Sequence, residues 1–194
     1  QALSSGVDPG DHQGLINITG PDIDPVFVPI NLTVTGENSS PVLPFIDISL
    51  SDDGIVELPA SVDTLFLAVA SRYTHIMAPD GGVIPIIAQD DFSSEQILHV
   101  RNVLNFFLKN IPNIQWGDDK ASVANAISQS NAILFLLNDE AEYNNQDVLN
   151  LMASGVSGQD LLADEVHPVG SSEYMLSSSR DATFEEVLHF EKVL

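Results

Sequence analysis

The chain changes character near residue 60, and this change limits its fold more than any other feature of the sequence. Residues 1–60 hold seven of the 11 prolines and none of the six lysines and arginines. Short β-branched runs such as "PVFVPINLTVTG" alternate there with Pro, Gly and Asp, and "SDDG" before "IVELP" indicates a hairpin. The β-branched runs predict strands, and proline restricts such strands to edges and ends of a sheet. Residues 1–60 are therefore predicted to form a β-rich N-terminal arm or module.

Residues 61–194 carry alternating strand and helix signals. The segments "YTHIMA" and "VIPIIAQ" predict two strands joined by the turn "PDGG", and the apolar "NAILFLLND" predicts a central strand. Helices are predicted from a cap at Ser93 or Ser94 to Asn110, over "DDKASVANAISQS", and from near Asp181 or Thr183 onward. We therefore predict an α+β fold in which a mixed sheet packs with about three to four helices.

Charge and composition exclude several classes of protein. The formal net charge is −22, from 28 acidic and six basic residues, which opposes binding to nucleic acid and to anionic membranes. No apolar run approaches the roughly 20 residues that span a bilayer. The chain has no cysteine, which excludes disulfides, thiolate catalysis and cysteine-ligated zinc. A hydrophobic content of 44% nevertheless allows a substantial core.

Three N-x-[ST] triplets lie in the N-terminal arm, at Asn17, Asn31 and Asn38. They are candidate glycosylation sites if the source is eukaryotic and secretory, although the triplet is common by chance and follows from Thr and Ser use in strands. The arm has little core of its own and must pack on something. We expect a secreted, extracellular protein whose arm either packs on the following domain or, as we prefer, adds strands to another molecule, giving self-association.

The C-terminal segment "EEVLH" (Glu185 to His189) carries the main functional signal. A carboxylate and a histidine four residues apart share one face of a helix, and Glu186 lies between them in sequence. The pattern resembles the His-Glu-x-x-His helix of zincin metallopeptidases, with Glu185 in place of the first histidine. For residues 61–194 the resemblance implies a zincin-like core, zinc ligands Glu185 and His189, and Glu186 as the general base that activates a zinc-bound water.

The resemblance also implies a third zinc ligand downstream of the motif helix, where only five residues remain after His189. An active enzyme would therefore require either further sequence, so that the domain is truncated at its C-terminus, or a ligand from elsewhere, such as His167, His75 or an aspartate. The segment "EQILH" repeats the spacing, which makes Glu95 and His99 additional candidate metal ligands together with His167. Glu186 and His189 also fit the Glu-x-x-His spacing of di-metal carboxylate bundles, in which the two helices packed face to face would offer two histidines and two or three glutamates, although the chain is β-rich for that class.

Three interpretations of the Glu–His helices stay open: structural or surface pairs, a degenerate zincin remnant, and a functional metal site. We expect the two histidines to lie apart, with core packing between the helices. The sequence favours a secreted acidic protein with a non-catalytic zincin-like domain that acts in extracellular binding or assembly. The alternative is a zinc-dependent metallohydrolase that cleaves peptide bonds with Glu186 as general base.

Overall fold

A computed structural model describes the backbone of residues 10–20, 23–34, 40–110, 119–176 and 180–190. The chain divides into two compact units, residues 1–39 and residues 40–194. The division lies between residues 39 and 40, whereas the change in composition predicts residue 60. Residues 40–60 therefore belong with the larger unit.

The first unit contains an antiparallel hairpin of two long strands, β1 (Gly10–Gly20) and β2 (Ile23–Val34). Their register runs from the pair Gly10 and Val34 to the pair Ile18 and Val26, with an irregularity before Gly20. The two strands form a sheet of their own. The expectation of β-structure in the N-terminal arm is met for these strands.

The second unit is built on a five-stranded mixed sheet in the order β3-β4-β5-β6-β7. Strands β3, β4 and β5 are antiparallel, whereas β5, β6 and β7 are parallel. The strands are β3 (Val56–Glu57), β4 (Arg72–Met77), β5 (Val83–Ala88), β6 (Ile133–Leu137) and β7 (Gly158–Leu162). The α-helices of the described residues are α1 (Thr64–Val69), α2 (Ser94–Phe107), α3 (Lys120–Gln129), α4 (Gln146–Ala153) and α5 (Thr183–Phe190). The predicted α+β class with a mixed sheet is confirmed.

Local sequence explains the best-defined elements. The Ser93 side chain caps α2 by accepting from the Gln96 amide, and the Gln96 side chain accepts from the Ser93 amide in return. All five residues of β6 are buried, as expected for a central strand flanked on both sides.

Helices pack on both faces of the sheet and make two cores. One face carries α2, α3 and α5, whose apolar residues meet alternate residues of β4, β5 and β6. The other face carries α1 and α4 together with the segment from Leu43 to Leu58. The buried side chains of Leu43, Ile46 and Leu58 place residues 40–60 in this second core.

The predicted hairpin at "SDDG" is wrong. The strand that follows, β3, pairs instead with β4. Side-chain hydrogen bonds stabilise the turn at "SDDG". The Asp53 carboxylate accepts from the Ser51 hydroxyl at 2.7 Å and from the Ile55 amide at 3.0 Å. Such local Asp contacts satisfy a turn without requiring a preceding strand.

Candidate functional site

Helix α5 carries the predicted Glu–His residues on its outer side. Thr183, Val187 and Phe190 are buried, and this spacing of three and four residues anchors one stripe of the helix in the core. Glu185 and His189 are exposed, and Glu186 is partly buried. Burial of Val187 and Phe190 favours a helix in this segment without any metal site.

Glu185 has a different partner from Glu186 and His189, which contact each other. The Glu185 carboxylate pairs with the Arg180 guanidinium at 2.5 Å. One Glu186 oxygen accepts from the Gln159 side-chain amide at 2.9 Å and lies 3.2 Å from Nδ1 of His189, whose side chain is 48% exposed. Since zinc requires several deprotonated ligands converging on one point, this arrangement does not fit the ligand set that the zincin resemblance implies.

The histidine of the second motif, His99 on α2, contacts Asp181 just before the start of α5. His189 lies near the other end of that helix. Nε2 of His99 lies 2.8 Å from Oδ2 of Asp181, and both side chains are largely buried. His189 is eight residues further along than Asp181, which corresponds to roughly 12 Å along a helix axis. The two Glu–His helices pack against each other, but the structure does not bring their histidines to a common site.

Asp181 ties three chain segments together. Its Oδ1 accepts from the Thr183 hydroxyl at 2.6 Å, from the Thr183 amide at 3.2 Å and, weakly, from the His167 amide at 3.4 Å. Burial by itself would raise the pKa of this carboxyl, but the hydrogen bonds from Thr183 and His99 outweigh burial and hold the pKa below its ordinary value. An ionised Asp181 therefore orients the His99 imidazole through Nε2 and leaves Nδ1 as the other polar atom of the ring.

The additional candidate ligands line a single cleft along α2. Glu95 and His99 line a cavity of about 470 Å³, and Glu95 and His167 line an adjoining cavity of about 380 Å³. Pro168 and Ser171 border both cavities. The sequence thus identified three residues of one cleft. In the described part of the chain, however, no group of three His, Asp or Glu side chains is placed to hold a metal ion.

The remaining candidates lie elsewhere. His75 is buried on β4, and its ring contacts those of Tyr73 and Phe45, each at a centroid distance of 5.7 Å. Asn17 lies in β1, Asn31 is exposed in β2, and Asn38 falls outside the described residues.

Asp181, Gln159 and Arg180 are the contact residues that sequence reasoning missed. Asp181 had a local signal, since an aspartate two residues before Thr183 is a common helix-start pattern. Its contact with His99 spans 82 residues, and Gln159 is 27 residues from Glu186. No local pattern predicts such pairings.

Comparisons with known protein families, with curated proteins and with solved structures found no match. Among the described residues, no helix combines the length and the apolar character needed to cross a membrane.

Proposed function

We propose that the chain is an extracellular binding and assembly protein, whose zincin-like domain is non-catalytic and whose hairpin pairs with the hairpin of a second copy. The observation that carries this proposal is the hairpin itself, with strands of 11 and 12 residues in a two-stranded sheet. A single two-stranded hairpin is at best marginally stable in water, and further strands are the usual remedy.

The two edges of the hairpin differ in their capacity to add a strand. Strand β2 contains Pro25 and Pro29, whereas β1 contains no proline. Pro29 is in register with Leu15, and a proline fits a ladder only where its nitrogen points away from the partner strand. We therefore expect the amides of Leu15 and of Gln13, two residues earlier, to point to the outer edge of β1.

The two sides of the hairpin also differ. Successive strand positions face opposite sides, so the register puts positions 17 and 31 on one side and positions 16 and 28 on the other. Position 28 belongs to an alternating aliphatic series, and Val28 is 41% exposed. Positions 17 and 31 lie on the opposite side, so glycans there would leave the aliphatic side and the β1 edge free for association.

The contacts of α5 support the non-catalytic part of the proposal. Glu186, the general base implied by the zincin resemblance, is bonded to Gln159, and Glu185 is paired with Arg180. Both carboxylates thus contribute to fixing the last helix.

The test is the oligomeric state by sedimentation velocity over a wide concentration range. The intact chain should form a dimer, and both deletion of residues 1–39 and Gln13→Pro should give monomers, because the deletion removes the β1 edge and the proline removes an outward amide from it. Gln13→Ser is the matched control, since it keeps the amide and should leave the dimer intact. A monomeric intact chain, or a dimer that persists without residues 1–39, would overturn the proposal.

A further inference from the structure

Two adjoining cavities form a crevice at the end of the sheet where β5 and β6 finish. The first, of about 230 Å³, lies against the end of α1 and is bordered by Gln89 and Asn138, the residues that follow β5 and β6. The second, of about 580 Å³, extends to Arg72 at the start of β4. Ser71 and Asp90 border both. The carboxyl ends of parallel strands are the usual place for ligands in sheets of this kind.

Arg72 is anomalous in so acidic a protein. Its Nη2 is buried and has no hydrogen-bond partner within the part of the chain that the structure describes. Glu57 and Asp90 line the same cavity, yet neither pairs with the guanidinium. Buried donors in proteins are satisfied with few exceptions, and a guanidinium presents donors in a fork that matches a carboxylate. Arg72 lines the crevice, so an anionic oxygen bound there would satisfy this donor once the side chain turns Nη2 toward it.

The other half of the crevice offers acceptors. The Ser71 hydroxyl donates to one oxygen of Asp90, which leaves the second oxygen of that carboxylate available. Residues at the end of α1, from Leu67 to Val69, border the same space, and the final carbonyls of a helix lack intrahelical partners. The Gln89 side chain is already used, since it accepts from the Asn138 amide and donates to Glu142. This half suits a cation.

We propose that the crevice binds a small zwitterion, a free α-amino acid, with its carboxylate on Arg72 and its ammonium group on Asp90. Arg72 is in register with Ala88, two residues before Asp90, so the two charged groups leave the sheet at the same end. All residues that line the crevice fall within positions 57–138 of the sequence, so the site does not include the hairpin. Its size admits an amino acid with a modest side chain.

The experiment is titration calorimetry of the full chain with L-alanine, L-leucine and L-glutamate, with acetate and methylamine as half-ligands. At least one amino acid should bind tenfold or more tightly than either half-ligand. Arg72→Met and Asp90→Asn should each raise its Kd at least tenfold. Arg180→Met, which removes an exposed arginine that does not line the crevice, should leave the Kd unchanged.

Acetate binding as tightly as every amino acid would overturn the zwitterion and leave a simple anion site. No binding by any amino acid, or Kd values unchanged in both site variants, would overturn the proposal altogether. Circular dichroism checks that each variant is folded. If Arg72→Met does not fold, Arg72→Lys, which keeps the charge but not the fork, replaces it and should also weaken binding.

Discussion

At the scale of single residues, Arg101 and Gly54 form a contact that tolerates little change. The guanidinium of Arg101 donates to the Thr74 hydroxyl at 2.8 Å, to the Asp53 carbonyl at 2.8 Å and to the Gly54 carbonyl at 3.2 Å. A Cβ added to Gly54 would lie 2.6 Å from Nη1 of Arg101, at a backbone φ of +70°. An alanine there would therefore strain the backbone and push Arg101 away from its three acceptors.

We predict that Gly54→Ala lowers the free energy of unfolding by about 2–4 kcal/mol, combining backbone strain with lost hydrogen bonds to a charged group. Gly81→Ala is the matched control: its φ is +90°, but an added Cβ meets no atom within 4 Å. It should cost only the backbone term, about 1 kcal/mol. Urea unfolding measures both, and equal losses would show that the contact with Arg101 contributes nothing.

At the scale of elements, sequence predicted what local chemistry determines. Helix α2 follows from its Ser93 cap and its apolar stripe, although it ends at Phe107 where Asn110 was predicted. Strand β6 follows from an uninterrupted apolar run. Strand β7 was missed because only the last two of its five residues, Leu161 and Leu162, are apolar and buried. The hydrogen-bonded pairing with β6 makes this segment a strand, although its own sequence does not favour one.

The candidate site was predicted in part, for the same physical reason. The spacing of Glu95 and His99 correctly puts both on one side of α2, and both border one cavity. The position of His167 on the same cleft depends on the path of the chain after β7, which no helical spacing encodes. The partners that decide what each Glu–His pair does come from other elements and are set by tertiary packing.

The bond between His99 and Asp181 fixes α5 on α2, and it gives a prediction with a defined pH dependence. Asp181→Asn should lower the free energy of unfolding by about 1.5–3 kcal/mol at pH 7, the usual range for hydrogen bonds to a charged group. Its pKa is held below the ordinary value of 3.8, so the stabilisation is complete above about pH 4. It should be lost as the pH falls through the depressed pKa.

The difference between Asp181→Asn and the wild type should therefore narrow below pH 4. Urea unfolding at pH 7, 5 and 3 measures it, and exposed Asp52→Asn serves as the control, which we expect to change stability by less than about 0.5 kcal/mol. A difference that stays constant down to pH 3 would mean that the Asp181 charge does not stabilise α5.

At the scale of the whole molecule, composition predicted two parts but placed their boundary 21 residues late, at 60 instead of 39. Residues 40–60 resemble the arm in their prolines and their lack of basic residues. They nevertheless belong to the larger unit, since Ile46 and Leu58 are buried in one of its cores and β3 extends its sheet. Composition depends only on the residues of each segment, whereas the boundary between two units lies where long-range contacts between residues stop.

The last prediction uses the net charge of −22. Because of this charge, salt should affect self-association and binding to a basic partner in opposite directions. Two copies of this chain repel each other, and salt screens that repulsion as the Debye length falls from about 10 Å at 0.1 M to about 3 Å at 1 M. The dimer proposed through β1 should therefore tighten, with its Kd falling about tenfold between 0.1 and 1 M NaCl. A complex held by attraction between opposite charges would instead weaken as salt rises.

Sedimentation equilibrium measures the Kd of the dimer. As controls, the chain without residues 1–39 should stay monomeric at every salt concentration, and sodium sulfate at equal ionic strength reveals any salting-out. A dimer that loosens as salt rises would mean that opposite charges, and not a shared strand edge, hold the two copies together.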